Sequence, residues 1–265
     1  MARIIVVTSG KGGVGKTTCT SNLGMALAKR DKRVVVVDAD FGLRNLDLLL
    51  GLENRIVFTA LDVLAGECRI EKALVKDKRQ PNLALLAAAQ NRSKEAITPD
   101  QMRELVNGLK DQFDFVLIDC PAGIEMGFQN AIAPAKEAIV VTTPEISAVR
   151  DADRVIGLLE ANDVKNVKLL VNRLKPAMVQ EEQMMSVQDV LDILAVPLLG
   201  VVPDDERVIV SSNRGEPLVL EQKLSLAGIA FSNVARRLLG EKVPIMDLSA
   251  PHDDLFSRLR RLLRG

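Results

Sequence analysis

The chain has 265 residues, of which 48% are hydrophobic and 26% charged, which suits one packed domain and excludes a mainly disordered chain. Its 35 basic and 35 acidic residues cancel, so overall charge gives no argument for nucleic-acid binding. Three cysteines without a CxxC pair argue against a disulfide framework, and no apolar run approaches 18 residues. We therefore expect a cytoplasmic protein with no membrane span.

Short aliphatic runs alternate with segments of helical spacing along the chain. The runs are almost continuously apolar, as parallel strands covered on both faces are. The alternation predicts an α/β fold with a doubly wound, mostly parallel sheet flanked by helices, and ligands at the carboxyl ends of the strands. The predicted strands are 3–8, 33–38, 82–87, 113–119, 138–142, 167–171 and 198–202, and the predicted helices include 17–30, 98–111, 146–162, 186–194 and 226–239.

The strongest motif directly follows the first predicted strand and precedes the first predicted helix. It reads G-K-G-G-V-G-K-T over residues 10–17, which matches the phosphate-loop pattern G-x-x-x-x-G-K-[ST]. Glycines let backbone N–H groups face the β- and γ-phosphates, and the helix N-terminus adds a favourable dipole. Lys16 is predicted to neutralise phosphate charge and Thr17 to bind Mg²⁺. The predicted ATP-binding residues of this segment are Gly10, Lys11, Gly12, Gly13, Val14, Gly15, Lys16, Thr17 and Thr18.

Two acidic elements each end a buried run. In V-V-V-V-D-A-D at 34–40, Asp38 stands at the strand end, where it can hold Mg²⁺ or its waters. Asp40 follows it and is our candidate for positioning the attacking water. In F-V-L-I-D at 115–119, a Walker B strand, Asp119 is expected to reach Mg²⁺ through water. A helix cap or solvated loop acid is the alternative for Asp40, and a plain buried strand is the alternative for 115–119.

Lys11 in K-G-G-V-G-K-T-T is the signature lysine of the deviant Walker A ATPases. Together the loop, D-A-D at 38–40 and D-C-P-A-G at 119–123 resemble that family. The resemblance implies an ATP hydrolase that uses ATP and Mg²⁺, with Lys11, Lys16 and Asp40 as catalytic residues. It also implies an ATP-dependent sandwich homodimer in which Lys11 reaches the partner's phosphates, as an arginine finger does. Taken alone, Lys11 could be a solvated loop lysine.

Longer stretches resemble the septum-site-determining branch of this family, with its cyanobacterial and plastid members nearest. These stretches are 1–18, 42–55, 118–128, 142–155 and 213–220. The resemblance implies that Asn172 recognises adenine and that Pro203 lies beside the base, since a side-chain amide can pair with both N6 and a ring acceptor. Asn172 could instead cap the end of a strand.

The same resemblance implies protein partners. In this branch a septum inhibitor (MinC-like) and a topological factor (MinE-like) bind at the dimer. By position, Asn45, Leu48, Glu53 and Asp151 are expected to contribute to that surface, although all four could equally be salt-bridge or cap residues. The implied activity is slow and partner-stimulated, and the implied role is a switch that cycles between the cytoplasm and the inner membrane's cytoplasmic face to position the septum.

The end of the chain forms a basic amphipathic tail. We predict an ATPase domain at 1–243, a linker at 244–254 and a membrane-targeting tail at 255–265. On a helical wheel the five apolar side chains of the tail fill an arc of about 120°, and all four arginines lie outside it. The tail is too short for a stable helix in water, so we expect it to order on anionic lipid. The predicted membrane-binding residues are Leu255, Phe256, Arg258, Leu259, Arg260, Arg261, Leu262, Leu263 and Arg264.

Three alternatives remain. A last helix docked on the body is the alternative for the tail. A ParA-type DNA-partition ATPase would bind DNA through clustered basic residues, but outside the last eleven residues the chain has 31 basic and 35 acidic residues, so we expect no specific nucleic acid. An iron–sulfur carrier would need four thiolates across a dimer, and the absence of a CxxC pair argues against it.

Overall fold

The computed structural model describes residues 2–90, 97–246 and 248, and within these residues eight strands form one sheet. The strands are β1 (Arg3–Thr8), β2 (Val34–Asp38), β3 (Leu74–Lys76), β4 (Leu83–Leu86), β5 (Phe115–Asp119), β6 (Glu137–Thr142), β7 (Asn166–Leu174) and β8 (Leu198–Pro203). Across the sheet their order is β3-β4-β2-β5-β1-β6-β7-β8, and β3 runs antiparallel to β4 whereas the other pairs are parallel. The predicted fold class is confirmed.

Helices cover both faces of this sheet. They are α1 (Lys16–Ala28), α2 (Leu46–Leu50), α3 (Ala60–Leu64), α4 (Ile70–Ala73), α5 (Pro99–Leu109), α6 (Met126–Ile132), α7 (Ile146–Ala161), α8 (Pro176–Gln180), α9 (Val187–Leu194), α10 (Glu206–Asn213) and α11 (Leu226–Leu238). The side chains of Thr98, Ser186, Asp205 and Ser225 accept hydrogen bonds from backbone N–H groups at the starts of α5, α9, α10 and α11. These caps replace bonds that the first turn of a helix cannot make internally.

Strand β2 shows how the sheet divides the core into two layers. Val35 and Val37 pack in the layer that includes residues of α5, α6, α7 and α9. Val34 and Val36 pack in the opposite layer, with residues of α1, α2 and α11. Because successive side chains of a strand point to opposite faces, a strand covered on both sides must be apolar at every position. The uninterrupted valine run is explained by this burial.

The order of the strands places a crevice beside β1. The chain builds β2 to β5 on one side of β1 and then crosses to the other side for β6, β7 and β8. Ligands of open α/β sheets bind where the strand order reverses in this way, at the carboxyl ends of the strands. The loop 9–15 after β1 lies at that point, and Asp38 and Asp119 end the neighbouring strands β2 and β5 on the same edge.

The predicted tail at 255–265 lies outside the described residues, as does the predicted linker except for 244–246 and 248. The predicted domain boundaries therefore stay predictions. None of the helices in the described ranges has the length and apolar content needed to cross a bilayer.

Gly24 marks the tightest approach of α1 to the sheet. A Cβ there would lie 2.6 Å from Val36 Cγ1 and 3.3 Å from Leu83 Cδ1. The change Gly24→Ala is expected to lower the free energy of unfolding by about 1–3 kcal/mol, because the added methyl group overpacks the core. Chemical denaturation measures this loss. As a control, Gly157→Ala adds a methyl group on α7 with nothing within 4 Å, and is expected to stabilise by about 0.5–1 kcal/mol. A similar loss at both positions would contradict the packing explanation.

Candidate nucleotide-binding site

The phosphate loop is a turn that only glycine can build at two positions. Gly13 and Gly15 have φ values of 78° and 99°, in the left-handed region. Gly15 has a second constraint, because a Cβ there would lie 2.4 Å from the side-chain nitrogen of Asn172. The loop therefore packs against the side chain of Asn172, the residue predicted to recognise the base.

Lys16 is a buried cation at the first position of α1. It is 8% exposed, and its Nζ donates to Ser9 Oγ at 3.0 Å. Ser9 Oγ in turn donates to the carbonyl of Lys11 at 2.8 Å, so the serine connects the two loop lysines. A buried ammonium group held by a neutral hydroxyl is costly unless an anion arrives, and a phosphate fits that need.

Two buried carboxylates lie side by side next to this lysine. Asp38 and Asp119 are in register on β2 and β5, and each is about 2% exposed or less. Burial, with a contribution from Asp119, raises the pKa of Asp38 to about 8. Burial raises the pKa of Asp119 to about 6, although hydrogen bonds from Thr17 and Thr20 and the charge of Lys16 act against the rise. Paired carboxylates and a threonine hydroxyl are oxygen ligands that Mg²⁺ prefers, so the residues present fit this ion.

Asp38 also organises the loop that carries Asp40. Its Oδ1 accepts the backbone N–H of Asp40 at 2.9 Å, and its Oδ2 accepts the backbone N–H of Leu46 at 3.2 Å. Leu46 is the first residue of α2. Asp40 is half-buried at the same edge of the sheet as the phosphate loop. Asp40 is the residue predicted to orient the attacking water. The buried Asp38 thus holds the loop at Asp40 and again at Leu46.

Both residues predicted to meet the adenine base line one cavity of about 1230 Å³, together with Gly15 and Thr18 of the loop segment. Asn172 is 5% exposed, and its Nδ2 donates to the carbonyl of Val14 at 2.8 Å. Pro203 ends β8 and is paired with Leu174 of β7. A base in this cavity would therefore meet an amide that the phosphate loop already orients.

The side chain of Lys11, a residue of the phosphate loop, contacts the start of α7. Its Nζ is 3.2 Å from Glu145 Oε2 and 3.0 Å from Ser147 Oγ. Both members of the ion pair are at least 40% exposed, and exposed pairs contribute at most about 1 kcal/mol. The contact is weak enough to be exchanged for a stronger one. The predicted role of Lys11 in a second subunit stays a prediction.

Comparison with known proteins decides the family. A family model described as the CobQ/CobB/MinD/ParA nucleotide binding domain matches residues 5–218. The septum site-determining protein MinD of Synechocystis sp. is 68% identical over 265 residues, the full length of both chains. The chain belongs to the MinD family. The family inferred from the motifs is confirmed.

Solved MinD structures share the fold throughout. MinD in a MinC:MinD cell division protein complex from Aquifex aeolicus is 50% identical with a TM-score of 0.87, and the match covers 93% of this chain and 99% of that one. MinD complexed with Mg-ADP from Pyrococcus horikoshii is 33% identical with a TM-score of 0.82, over 92% and 100% of the two chains. Nucleotide and magnesium thus occupy a MinD chain with the same architecture.

The residues predicted for the partner surface of this MinD-family chain fall in two regions, one around α2 and one on α7. Asn45 precedes α2 without a side-chain cap hydrogen bond, Leu48 on α2 is 50% exposed, and Glu53 begins the 3-10 turn that follows. Asp151 lies instead on α7, where its carbonyl oxygen would be 2.2 Å from a Cβ at Gly10. The α7 backbone therefore touches the phosphate loop.

Sequence reasoning missed residues that hold the charged groups of this MinD-family site. Thr20 donates to Asp119 Oδ1 at 2.9 Å, and it could have been found because it lies one helical turn after Lys16. Ser9 is adjacent to the motif. Glu145 and Ser147 contact Lys11 from more than 130 residues away, and no local pattern signals such a contact.

The buried cysteines behave as core residues. Cys19 and Cys120 are both buried. Burial, with the charge of Asp119, raises the pKa of Cys19, and burial raises the pKa of Cys120 to about 12. These thiols are therefore neutral near pH 7, whereas metal ligation requires thiolates.

The buried aspartates predict an unusual pH dependence of stability. The folded pKa of Asp38 near 8 exceeds its unfolded value near 3.8, so the native state holds the extra proton between these values. The stability of the metal-free protein is therefore expected to fall as the pH rises from about 4 to about 8. Asp38→Asn should weaken this dependence and stabilise the protein at pH 8 by about 1–3 kcal/mol. Urea unfolding with EDTA at pH 5 and pH 8 tests this.

The matched control is Asp114→Asn. The hydrogen bond from Arg33 holds the pKa of exposed Asp114 below its usual value, so this change should destabilise rather than stabilise. Added Mg²⁺ should stabilise the wild type and not Asp38→Asn. A wild-type stability that rises between pH 5 and pH 8 in EDTA would contradict the uncompensated aspartate pair.

Proposed function

We propose that this protein is an ATP-driven switch that positions the division septum by loading onto an anionic membrane surface as a dimer. The observation that carries the proposal is the buried Lys16 next to the buried carboxylates Asp38 and Asp119, on a loop segment whose Gly15 and Thr18 line a cavity of about 1230 Å³. Membership of the MinD family and Mg-ADP in the Pyrococcus horikoshii relative support it.

Different residues of the chain have separate roles in ATP hydrolysis. Backbone N–H groups of the loop and Lys16 bind the phosphates, and Thr17, Asp38 and Asp119 hold Mg²⁺, the two aspartates through water. Mg²⁺ when bound neutralises charge on the transferred phosphoryl group. Asp40 orients the attacking water by accepting its hydrogen bond. Asn172 and Pro203 hold the adenine base against the loop.

Lys11 couples hydrolysis to dimerisation. Each subunit keeps its Lys11 on Glu145 and Ser147 until a second subunit closes over the nucleotide. The lysine then contacts the partner's phosphates, where a cation stabilises the charge of the transition state. A single subunit lacks this cation in its own site, so its turnover is slow.

Dimerisation converts weak tail binding into membrane loading. Each arginine near an anionic surface is worth about 1 kcal/mol. A fully buried large apolar side chain contributes about 1.5–3 kcal/mol. Ordering the tail costs about 1–2 kcal/mol per residue, so one tail binds weakly. Two tails on one dimer make the second contact intramolecular, which raises the avidity by orders of magnitude.

Protein partners bind according to the nucleotide state of this protein. The Aquifex aeolicus relative, whose structure is a complex with MinC, supports a MinC-like septum inhibitor as one partner. We propose a MinE-like topological factor as the activator of hydrolysis. The exposed side chain of Leu48, with Asn45, Glu53 and Asp151, is the proposed contact surface.

The two lysines separate binding from hydrolysis. Lys16→Ala is expected to abolish ATP binding, because it removes the buried cation that meets the phosphates. Lys11→Ala should leave the ATP dissociation constant within about threefold and lower turnover by about 100-fold or more, as loss of a cation supplied in trans does. Fluorescent-nucleotide binding measures ATP affinity, phosphate release measures turnover, and sedimentation velocity measures dimerisation. Wild-type turnover in Lys11→Ala would contradict the shared site.

Membrane loading is tested by co-sedimentation with phosphatidylcholine vesicles that contain or lack phosphatidylglycerol. Full-length protein should pellet with the anionic vesicles in ATP and Mg²⁺, and not in ADP. A chain ending at Asp254, and the charge reversal Arg260→Glu with Arg261→Glu, should stay in the supernatant while keeping ATPase activity. Pelleting of the truncated chain, or none of the full chain, would overturn the membrane role. Salt-sensitive DNA binding by the truncated chain would then favour a partition ATPase.

A further inference from the structure

Arg79 makes a four-way connection outside the nucleotide site. Its guanidinium donates to Asp77 Oδ1 at 3.1 Å and Oδ2 at 2.6 Å, to the carbonyl of Leu50 at 2.5 Å and to the carbonyl of Gly215 at 2.9 Å. These four residues, Leu50, Asp77, Arg79 and Gly215, are called the Arg79 clasp below. The planar fork of an arginine suits such simultaneous contacts, whereas a lysine ammonium cannot reproduce them.

The clasp is built around a buried charge. The side chain of Asp77 is 1% exposed, and its Oδ1 also accepts the backbone N–H of Arg79 at 2.7 Å. A carboxylate buried to this extent is destabilising without its partner. The chain thus places a buried ion pair where its cation also reaches two backbone carbonyls, which fixes their relative position.

A close backbone contact lies next to the clasp. Gly51, which ends α2, and Gly215 both have positive φ, 61° and 63°. A Cβ at Gly215 would lie 2.6 Å from the Cα of Gly51, and one at Gly51 would lie 2.9 Å from the Gly215 carbonyl oxygen. The two segments therefore meet backbone to backbone, and Arg79 holds the carbonyl groups on both sides of this contact.

Helix α2 is consequently fixed at its two ends by charged side chains. Asp38 accepts the N–H of its first residue, Leu46, and Arg79 donates to the carbonyl of its last residue, Leu50. Five residues cannot form a stable helix alone, so contacts at the ends and the buried leucines set the position of α2. Its ends are only about 6 Å apart along the axis. A shift at Leu50 therefore reaches Leu46, Asp38 and the Asp40 loop.

We propose that Arg79 is a positioning residue for ATP hydrolysis, which it supports by holding α2, and through α2 the loop that carries Asp40, in place. This inference rests on the proposed function. The hydrogen bonds of the Arg79 guanidinium go to Asp77, Leu50 and Gly215, so it acts on the chemical step through geometry. A misplacement of about 1 Å far from the reacting atoms can lower a rate by about 100-fold.

The test uses a double variant, Arg79→Met with Asp77→Asn, which removes the guanidinium without leaving a buried charge unpaired. Its kcat is expected to fall at least tenfold while its KM for ATP stays within twofold. Arg79→Lys should show the same loss, because it keeps the charge and loses the fork. Without nucleotide, hydrogen exchange of the backbone amides at 40–50 should become about tenfold faster in both variants.

The matched control is a similar ion pair between the central strands β1 and β6. Arg3 binds both carboxylate oxygens of Glu137 and the carbonyl of Leu238. The double variant Arg3→Met with Glu137→Gln should leave kcat and the exchange of 40–50 at wild-type values, even if its melting temperature drops as far as that of the clasp variant.

The outcomes distinguish a failure of the proposed function from a failure of the proposed role of Arg79. A wild-type protein that does not hydrolyse ATP overturns the proposed function. A wild type that hydrolyses ATP, with kcat and amide exchange unchanged in the clasp variants, overturns only the role of Arg79. An equal loss of kcat in the Arg3 control also overturns it, because the effect is then general destabilisation. Restored kcat in Arg79→Lys would show that charge alone matters and would likewise exclude positioning.

Discussion

Buried charge at the carboxyl edge of the sheet is the constraint on which the rest of this structure depends. Lys16, Asp38 and Asp119 are all buried there, and burial is the largest cause that raises the pKa of both aspartates. A folded protein retains such groups at a cost in stability, because the low-dielectric interior disfavours isolated charge. A nucleotide phosphate and a divalent cation would supply the missing charges. The site is therefore built to be completed by its ligands, and the surrounding core must be stable enough to hold it open.

Burial of apolar side chains in the two core layers offsets this loss of stability. The strands next to the site, β1, β2 and β5, are buried on both faces toward their carboxyl ends, so the charged residues follow segments that cannot shift without opening the core. Asp38 has two roles in this arrangement, since the carboxylate proposed to hold Mg²⁺ also accepts the N–H groups of Asp40 and Leu46. Binding at the phosphate edge and the position of α2 are thus mechanically linked.

Much of this architecture could be predicted because the signals are local. The valine run before Asp38 and the F-V-L-I-D run predict strands that are buried on both faces. The glycine pattern at 10–15 predicts the turn of the phosphate loop. The edge strand β3 and the short helices α2, α3, α4 and α8 escaped prediction, because three to five residues carry too little periodicity to be distinguished from loops. Lys11 with Glu145, and Arg79 with Leu50 and Gly215, could not be predicted either. Those contacts join distant parts of the chain, and only the folded sheet brings them together.

The short antiparallel strand β3 has a consequence for how densely this protein can be packed. Edge strands expose unpaired backbone groups that can join the sheet of a neighbouring molecule. On this side of the sheet the edge strand is only three residues long, its direction opposes that of its neighbour β4, and it ends at the exposed charge of Lys76. A protein proposed to gather at high surface density on a bilayer meets its own copies constantly. A blunt, charged sheet edge limits irreversible lateral association under that crowding and leaves reversible pairing through the nucleotide face.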